Sequence, residues 1–225
     1  MFKKSKYDVM EKETFSNSMN LLILVGKVSK DLKALENGKI SETDFDGNFK
    51  QAISNGLPTI KSMAHIGYEN SKDIDSIDNR VLVTYIKKSG QNYEEFLNNY
   101  YERVNSYIKM ILAFNIIDKE GLDVYKIITP GVIFFLIKGE FEKVRDAINS
   151  LGVKLSDDSV ILMDKLVDKD FNIKDLSAKE KDILDVEHEK YMKMHIYPRV
   201  NTTGSREDTL KYAKSLGKKR TTFEL

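Results

Sequence analysis

The chain has 225 residues, 41% of them hydrophobic and 32% charged, with a net charge of +1. It contains no cysteine, which excludes a disulfide scaffold, a thiolate metal site and a cysteine nucleophile. Near-neutral charge provides no global field for nucleic acid or membrane, and only three prolines and twelve glycines are too few for a turn-rich sandwich or barrel.

The expected class is all-α: a bundle of seven or eight helices over residues 7–198, followed by a mobile basic tail at 199–225. At the N-terminus, MFKKSKYDVMEKE mixes basic with acidic residues ahead of an apolar stretch of only about ten, so no signal peptide is expected. The longest apolar run, Ile127 to Ile137, is shorter than the roughly 20 residues that cross a bilayer and reads as core. Together with the missing cysteines, this reads as a cytoplasmic protein without membrane association.

In chain order, a first helix is predicted from Tyr7 to Glu36. Leu21, Leu24, Val28, Leu32 and Leu35 recur at three-and-four spacing and form its apolar face. Asn37-Gly38 ends it, because glycine accepts the left-handed conformation past a last helical turn. Ser41 with Asp44 has capping-box spacing and opens a second helix, Glu42 to Asn55. Gly56-Leu57-Pro58 is read as a break, with a short helix from there to Ile66. A polar connection follows at residues 69–79, overlapping a helix predicted from Ser76 to Lys88.

From Tyr93, the residues Leu97, Tyr100, Val104, Tyr107, Ile111 and Phe114 alternate four and three apart. Phe96, Tyr101, Ile108 and Leu112 widen that face, so this helix is expected at the centre of the bundle rather than as a dimer zipper. Further helices are predicted at Val132–Leu151, Asp157–Val167 and Ala178–Ile196, the last ending before Pro198. A short one, capped by Ser205 and Asp208, is expected at residues 206–216.

Three patterns invite a chemical reading. In DKDFNIKDLSAKE, Asp168, Asp170 and Asn172 have the spacing of the first calcium ligands in an EF-hand, but Ile173 stands where the turn glycine belongs. Lys179 stands where a bidentate glutamate belongs. The stretch is therefore read as a joint, with Asp170 or Asn172 capping backbone groups, Phe171, Ile173 and Leu176 turned inward, and Ser177 starting the next helix. Leu176 to Leu184 resembles the opening helix of the LuxR-type DNA-binding module, whose recognition helix has no counterpart before Pro198. His188 has Met192, not histidine, four residues on, and His195 lies about 10.5 Å along the axis, too far to share one ion. His188, Tyr191 and His195 are read as semi-buried stripe residues, and His65 as lacking a neighbouring nucleophile or acid. No catalytic, cofactor-binding or metal-binding residue is assigned, and no cofactor is expected.

The tail is the remaining feature. Residues 199–225 hold seven basic and three acidic side chains, a balance of +4 that leaves −3 on the rest. Arg206, Lys211, Lys214, Lys218, Lys219 and Arg220 are the candidate contacts to a nucleic acid or a partner. The functional expectation is a non-catalytic helical interaction or regulatory protein with a protein partner. The alternative is nucleic-acid association through the basic arm, and a helix-borne metal or calcium site is a more distant one. Oligomeric state is left open.

Overall fold

The computed structural model describes residues 6–72, 79–128 and 141–199. The fold is all-α: among the described residues there are eight α-helices and no strand. These are α1 (Lys6–Glu36), α2 (Glu42–Lys72), α3 (Asn79–Ser89), α4 (Tyr93–Lys119), α5 (Val124–Ile127), α6 (Glu142–Ser150), α7 (Asp157–Val167) and α8 (Ala178–Tyr191). A π-helical segment, Met192–Ile196, and a 3-10 turn, Tyr197–Arg199, continue α8. Among the described residues no helix is long and apolar enough to cross a membrane.

The α1–α2 hairpin follows its local signals. Gly38 takes a φ of 65° past the end of α1, and the Lys39 and Gly38 amides reach the carbonyls of Ala34 and Leu35 at 2.8 and 2.9 Å. That is the paired closure in which a left-handed glycine satisfies otherwise orphaned carbonyls. Ser41 and Asp44 cap reciprocally, the Ser41 amide donating to Asp44 at 3.2 Å and the Asp44 amide to Ser41 Oγ at 3.1 Å.

Beyond that turn α2 departs from expectation. It runs unbroken through Gly56 and Pro58 to Lys72, past the predicted break and into the predicted polar connection. Pro58 removes one donor, the amide that would reach the Ser54 carbonyl, but α2 is clamped on two sides, and tertiary packing supplies most helical stability in proteins. Against α1 it runs antiparallel, with Lys6 meeting Glu69, Asn17 meeting Ser62 and Leu24 meeting Gly56. Against α4 it is antiparallel again, through Lys61–Asp118, Gly67–Tyr107 and the Tyr100 hydroxyl on the Ser71 carbonyl. Gly56 is no breaker because it is a contact: a Cβ there would lie 2.3 Å from Leu24 Cδ2.

Gly67 of α2 packs tightly against α4, where a Cβ would fall 2.4 Å from the Tyr107 ring. Gly47, exposed earlier in α2, has nothing within 4 Å. Gly47→Ala is therefore expected to stabilise the protein by about 0.5–1 kcal/mol through helix propensity alone. Gly67→Val should destabilise it by about 2 kcal/mol through overpacking, a contrast read from urea unfolding midpoints.

The core is one large cluster joining α1, α2, α4, α6 and α7 with the loop at residues 168–177 and Leu184 of α8. In α4, every residue from Lys109 to Phe114 is buried, whereas Tyr93 and Tyr101 are exposed. The expected central position thus holds for the C-terminal half of α4 and not for its N-terminal half. Leu24 and Val28 of α1 are buried as predicted, but Leu32 is exposed. The helix predicted at Val132–Leu151 appears as α6, with Phe141, Val144 and Ile148 buried, and its residues 132–140 lie outside the described segments. The same is true of the short helix expected at 206–216.

Candidate functional site

Two features stand apart from the core. One is a buried polar cluster between α1, α2 and α8, and the other is the outward face of α1.

Ser62, His65 and Glu69 follow one another at three and four residues along α2, so they share a face. His188, Tyr191 and His195 oppose them from α8 and its π segment. Glu69 accepts from Lys6 Nζ at 2.8 Å through one oxygen and from His188 Nε2 at 2.5 Å through the other. His188 Nδ1 in turn lies 3.4 Å from His65 Nδ1. Among the described residues no buried side-chain nitrogen or oxygen lacks a partner, and His65 lines a groove between α2 and α8.

Tyr191 stacks on His65 with centroids 4.4 Å apart and planes 7° off parallel, and its hydroxyl donates to Ser62 Oγ at 2.6 Å. Asn17, buried on α1, donates to the same oxygen at 2.7 Å. Ser62 is therefore engaged by Tyr191 and Asn17 rather than by a histidine, which is not the pairing a serine nucleophile requires.

Electrostatics set two ionisation states. Burial, reinforced by the positive fields of His188, Lys61 and His195, holds His65 down at about 3, so it is neutral near pH 7. Burial pushes Glu69 upward, but the hydrogen bonds from His188 and Lys6 outweigh it and bring its carboxyl to about 2. The result is a buried carboxylate, a histidine that it orients, and a second histidine held neutral beside them.

Ser62, His65, Tyr191 and His195 line a groove of about 610 Å³ together with Leu57, Pro58, Phe114 and Met194. Its rim carries the pairs Lys61–Asp118 at 2.8 Å and Arg199–Glu13. The π segment widens the last turns of α8, a deviation often found at functional sites. Here it turns Met192 and Ile196 into a small apolar cluster with Val9, Met10 and Ile66. His195 is left exposed, 4.7 Å from the Tyr191 ring.

These positions correct the sequence-based reading of the histidines. His65 is not isolated: it sits against His188 with Glu69 behind, a juxtaposition of residues 119 to 123 apart in the chain. His188 is 2% exposed, fully rather than partly buried. The α2 spacing of Ser62, His65 and Glu69 was the one signal available beforehand. Pro58 does not break a helix, and Pro198 lies inside the final 3-10 turn.

The joint at residues 168–177 behaves as a joint. Asp168 Oδ1 accepts the Asp170 amide at 3.0 Å, and Asn172 Oδ1 accepts the Lys174 amide at 3.0 Å. Asp175 and Asn172 cap reciprocally, as do Ser177 and Glu180 at the start of α8. Phe171 and Leu176 are buried and Ile173 is half-buried. Among the described residues no group of three or more histidines and carboxylates is placed to hold a metal ion. Arg206, Lys211, Lys214, Lys218, Lys219 and Arg220 lie outside the described residues.

The second feature was not foreseen. Phe15, Met19, Leu22 and Ile23 project from α1 away from α2, with Phe15 72% exposed, Leu22 67% and Ile23 64%. From Thr14 to Gly26 there is no charged residue. No protein-family model, no curated protein and no solved structure matches this chain, so these two features carry the functional argument.

Proposed function

We propose that the protein is a non-catalytic helical interaction protein that docks a protein partner on the outward face of α1. The observation supporting this reading is the four large apolar side chains of that face, left in water on a helix whose opposite side buries Tyr7, Met10, Leu24 and Val28. Contiguous exposed apolar surface of this kind marks association sites in soluble proteins. Each side chain contributes about 1.5–3 kcal/mol when transferred from water into an interface.

The test is affinity capture from native cells with the wild-type chain and with Leu22→Lys/Ile23→Lys. A specific protein recovered with the wild type and lost with the variant, whose helical circular dichroism stays unchanged, is the expected outcome. An identical set of captured proteins would refute the reading. The alternative, nucleic-acid association through Arg206, Lys211, Lys214, Lys218, Lys219 and Arg220, rests on the +4 balance of residues 199–225. Phosphate contacts weaken steeply with salt, so nucleic acid recovered in place of protein and released by moderate salt would favour that alternative.

A further inference from the structure

The outward face of α1 has a heptad register of its own, distinct from the one that packs on α2. Asp8, Lys12, Phe15, Met19, Leu22, Gly26, Ser29 and Lys33 alternate four and three apart, and all eight are exposed. Such a seam wants a second helix along its length. Residues 8–33 give it about 39 Å at 1.5 Å per residue.

The seam is complementary to its own reverse. When an antiparallel copy is laid across it about a two-fold axis between Asn20 and Leu21, Phe15 falls opposite Gly26 and Met19 opposite Leu22. The largest side chain of the face then meets the position that has none, and the space there is open, since a Cβ on Gly26 would touch nothing within 4 Å. Outside this apolar centre, Asp8 falls opposite Lys33 and Glu11 opposite Lys30. The charge-free stretch from Thr14 to Gly26 is flanked on its N-terminal side by Asp8, Glu11, Lys12 and Glu13, net acidic, and on its C-terminal side by Lys27, Lys30, Asp31 and Lys33, net basic. A parallel copy would instead stack Phe15 on Phe15, Asp8 on Asp8, and Lys12 and Lys33 each on itself. Opposite charges across a helical seam set orientation, and antiparallel pairing also aligns the helix dipoles favourably. An interface of this kind, in which Phe15 of each copy meets Gly26 of the other and Met19 meets Leu22, closes as a two-fold dimer.

We propose that the partner on this face is a second copy of the chain, joined through an antiparallel α1–α1 pair with its two-fold axis between Asn20 and Leu21. This rests on the reading of α1 as a docking face and adds to it the identity of the partner and the register.

Light scattering on the full chain over a range of concentrations tests the mass, expected at twice 25.9 kDa. Leu22→Lys is expected to raise the dissociation constant at least about tenfold with helical content unchanged, because a charge would be buried against Met19 of the other copy. The absence of native cysteine permits a register test. Mixed F15C and G26C chains, distinguished by a tag, should form the disulfide-linked heterodimer. Neither variant alone should cross-link, since like positions lie about 16.5 Å apart along the antiparallel axis.

Cross-linking of F15C to itself, or a dimer indifferent to Leu22→Lys, would overturn the antiparallel pair. A monomer at every concentration that still captures a different protein through Leu22 and Ile23 would overturn the self-association and leave the docking reading standing. A monomer whose residues 200–225 protect the face from labelling would overturn both, because this arm would then be its occupant. A monomer whose captured proteins ignore the double lysine variant overturns both.

Discussion

His188→Ala is expected to lower the unfolding free energy by about 3 kcal/mol, measured as a drop in the urea midpoint at unchanged slope. His188 is 2% exposed and is one of two cationic or donor groups on the Glu69 carboxylate. Removing it leaves a buried carboxylate held only by Lys6, leaves His65 Nδ1 without its partner, and opens a cavity beside Tyr68 and His65. Breaking a buried charged pair by deleting one member costs about 3–5 kcal/mol, and the retained Lys6 contact places this case at the lower end. His195→Ala, on an exposed ring of the same stripe, should change stability by no more than about 0.5 kcal/mol. A His188→Ala effect as small as that control would show that the cluster does not hold α8 onto α2.

Acid should unfold the protein earlier than carboxylates alone require. The His65 imidazole titrates at an ordinary 6.5 in the unfolded chain and at about 3 in the folded one. Between those values the unfolded state takes up a proton that the folded state refuses, so stability falls as pH drops from 6.5 toward 3. The Glu69 carboxyl, depressed from 4.5 to about 2, contributes stability that is fully present above 4.5 and is lost as pH falls toward 2. Both effects have the same sign and act in succession. The unfolding midpoint should be flat above pH 6.5 and decline below it, with His65 accounting for a loss of roughly 3 kcal/mol by about pH 4. His65→Gln should flatten the curve between 6.5 and 4.5 and leave the steeper fall below 4.5. If the wild-type curve stays flat down to pH 4.5, the buried neutral state of His65 is wrong.

The parts of the fold differ in how readable they were. α7 was legible to the residue, and the ends of α1 and the starts of α2 and α8 nearly so. Each rests on chemistry within four residues: a left-handed glycine at 38, the Ser41–Asp44 cap, the Ser177–Glu180 cap. Pro58 misled because a missing amide is a local cost, while the clamp of α1 and α4 on α2 that offsets it is made by residues far away in the chain. Polar residues at the end of α2 read as a connection, because nothing nearby shows that Glu69 turns inward to Lys6 and His188.

The face of α1 shows the same division from the other side. Its sequence contained two apolar stripes, and periodicity alone marked Leu21, Leu24 and Val28 as the core stripe without saying what the other would do. Packing against α2 decided that Phe15, Met19, Leu22 and Ile23 stay in water. By itself, then, the sequence determined the all-α class, the end of α1, the starts of α2 and α8 and the capped joint at residues 168–177, since propensity and capping act over one or two turns. The tertiary structure alone decided which helix continued through a proline, which two histidines met, and which apolar stripe was left uncovered, because burial and pairing are properties of surfaces that meet only after the chain has folded.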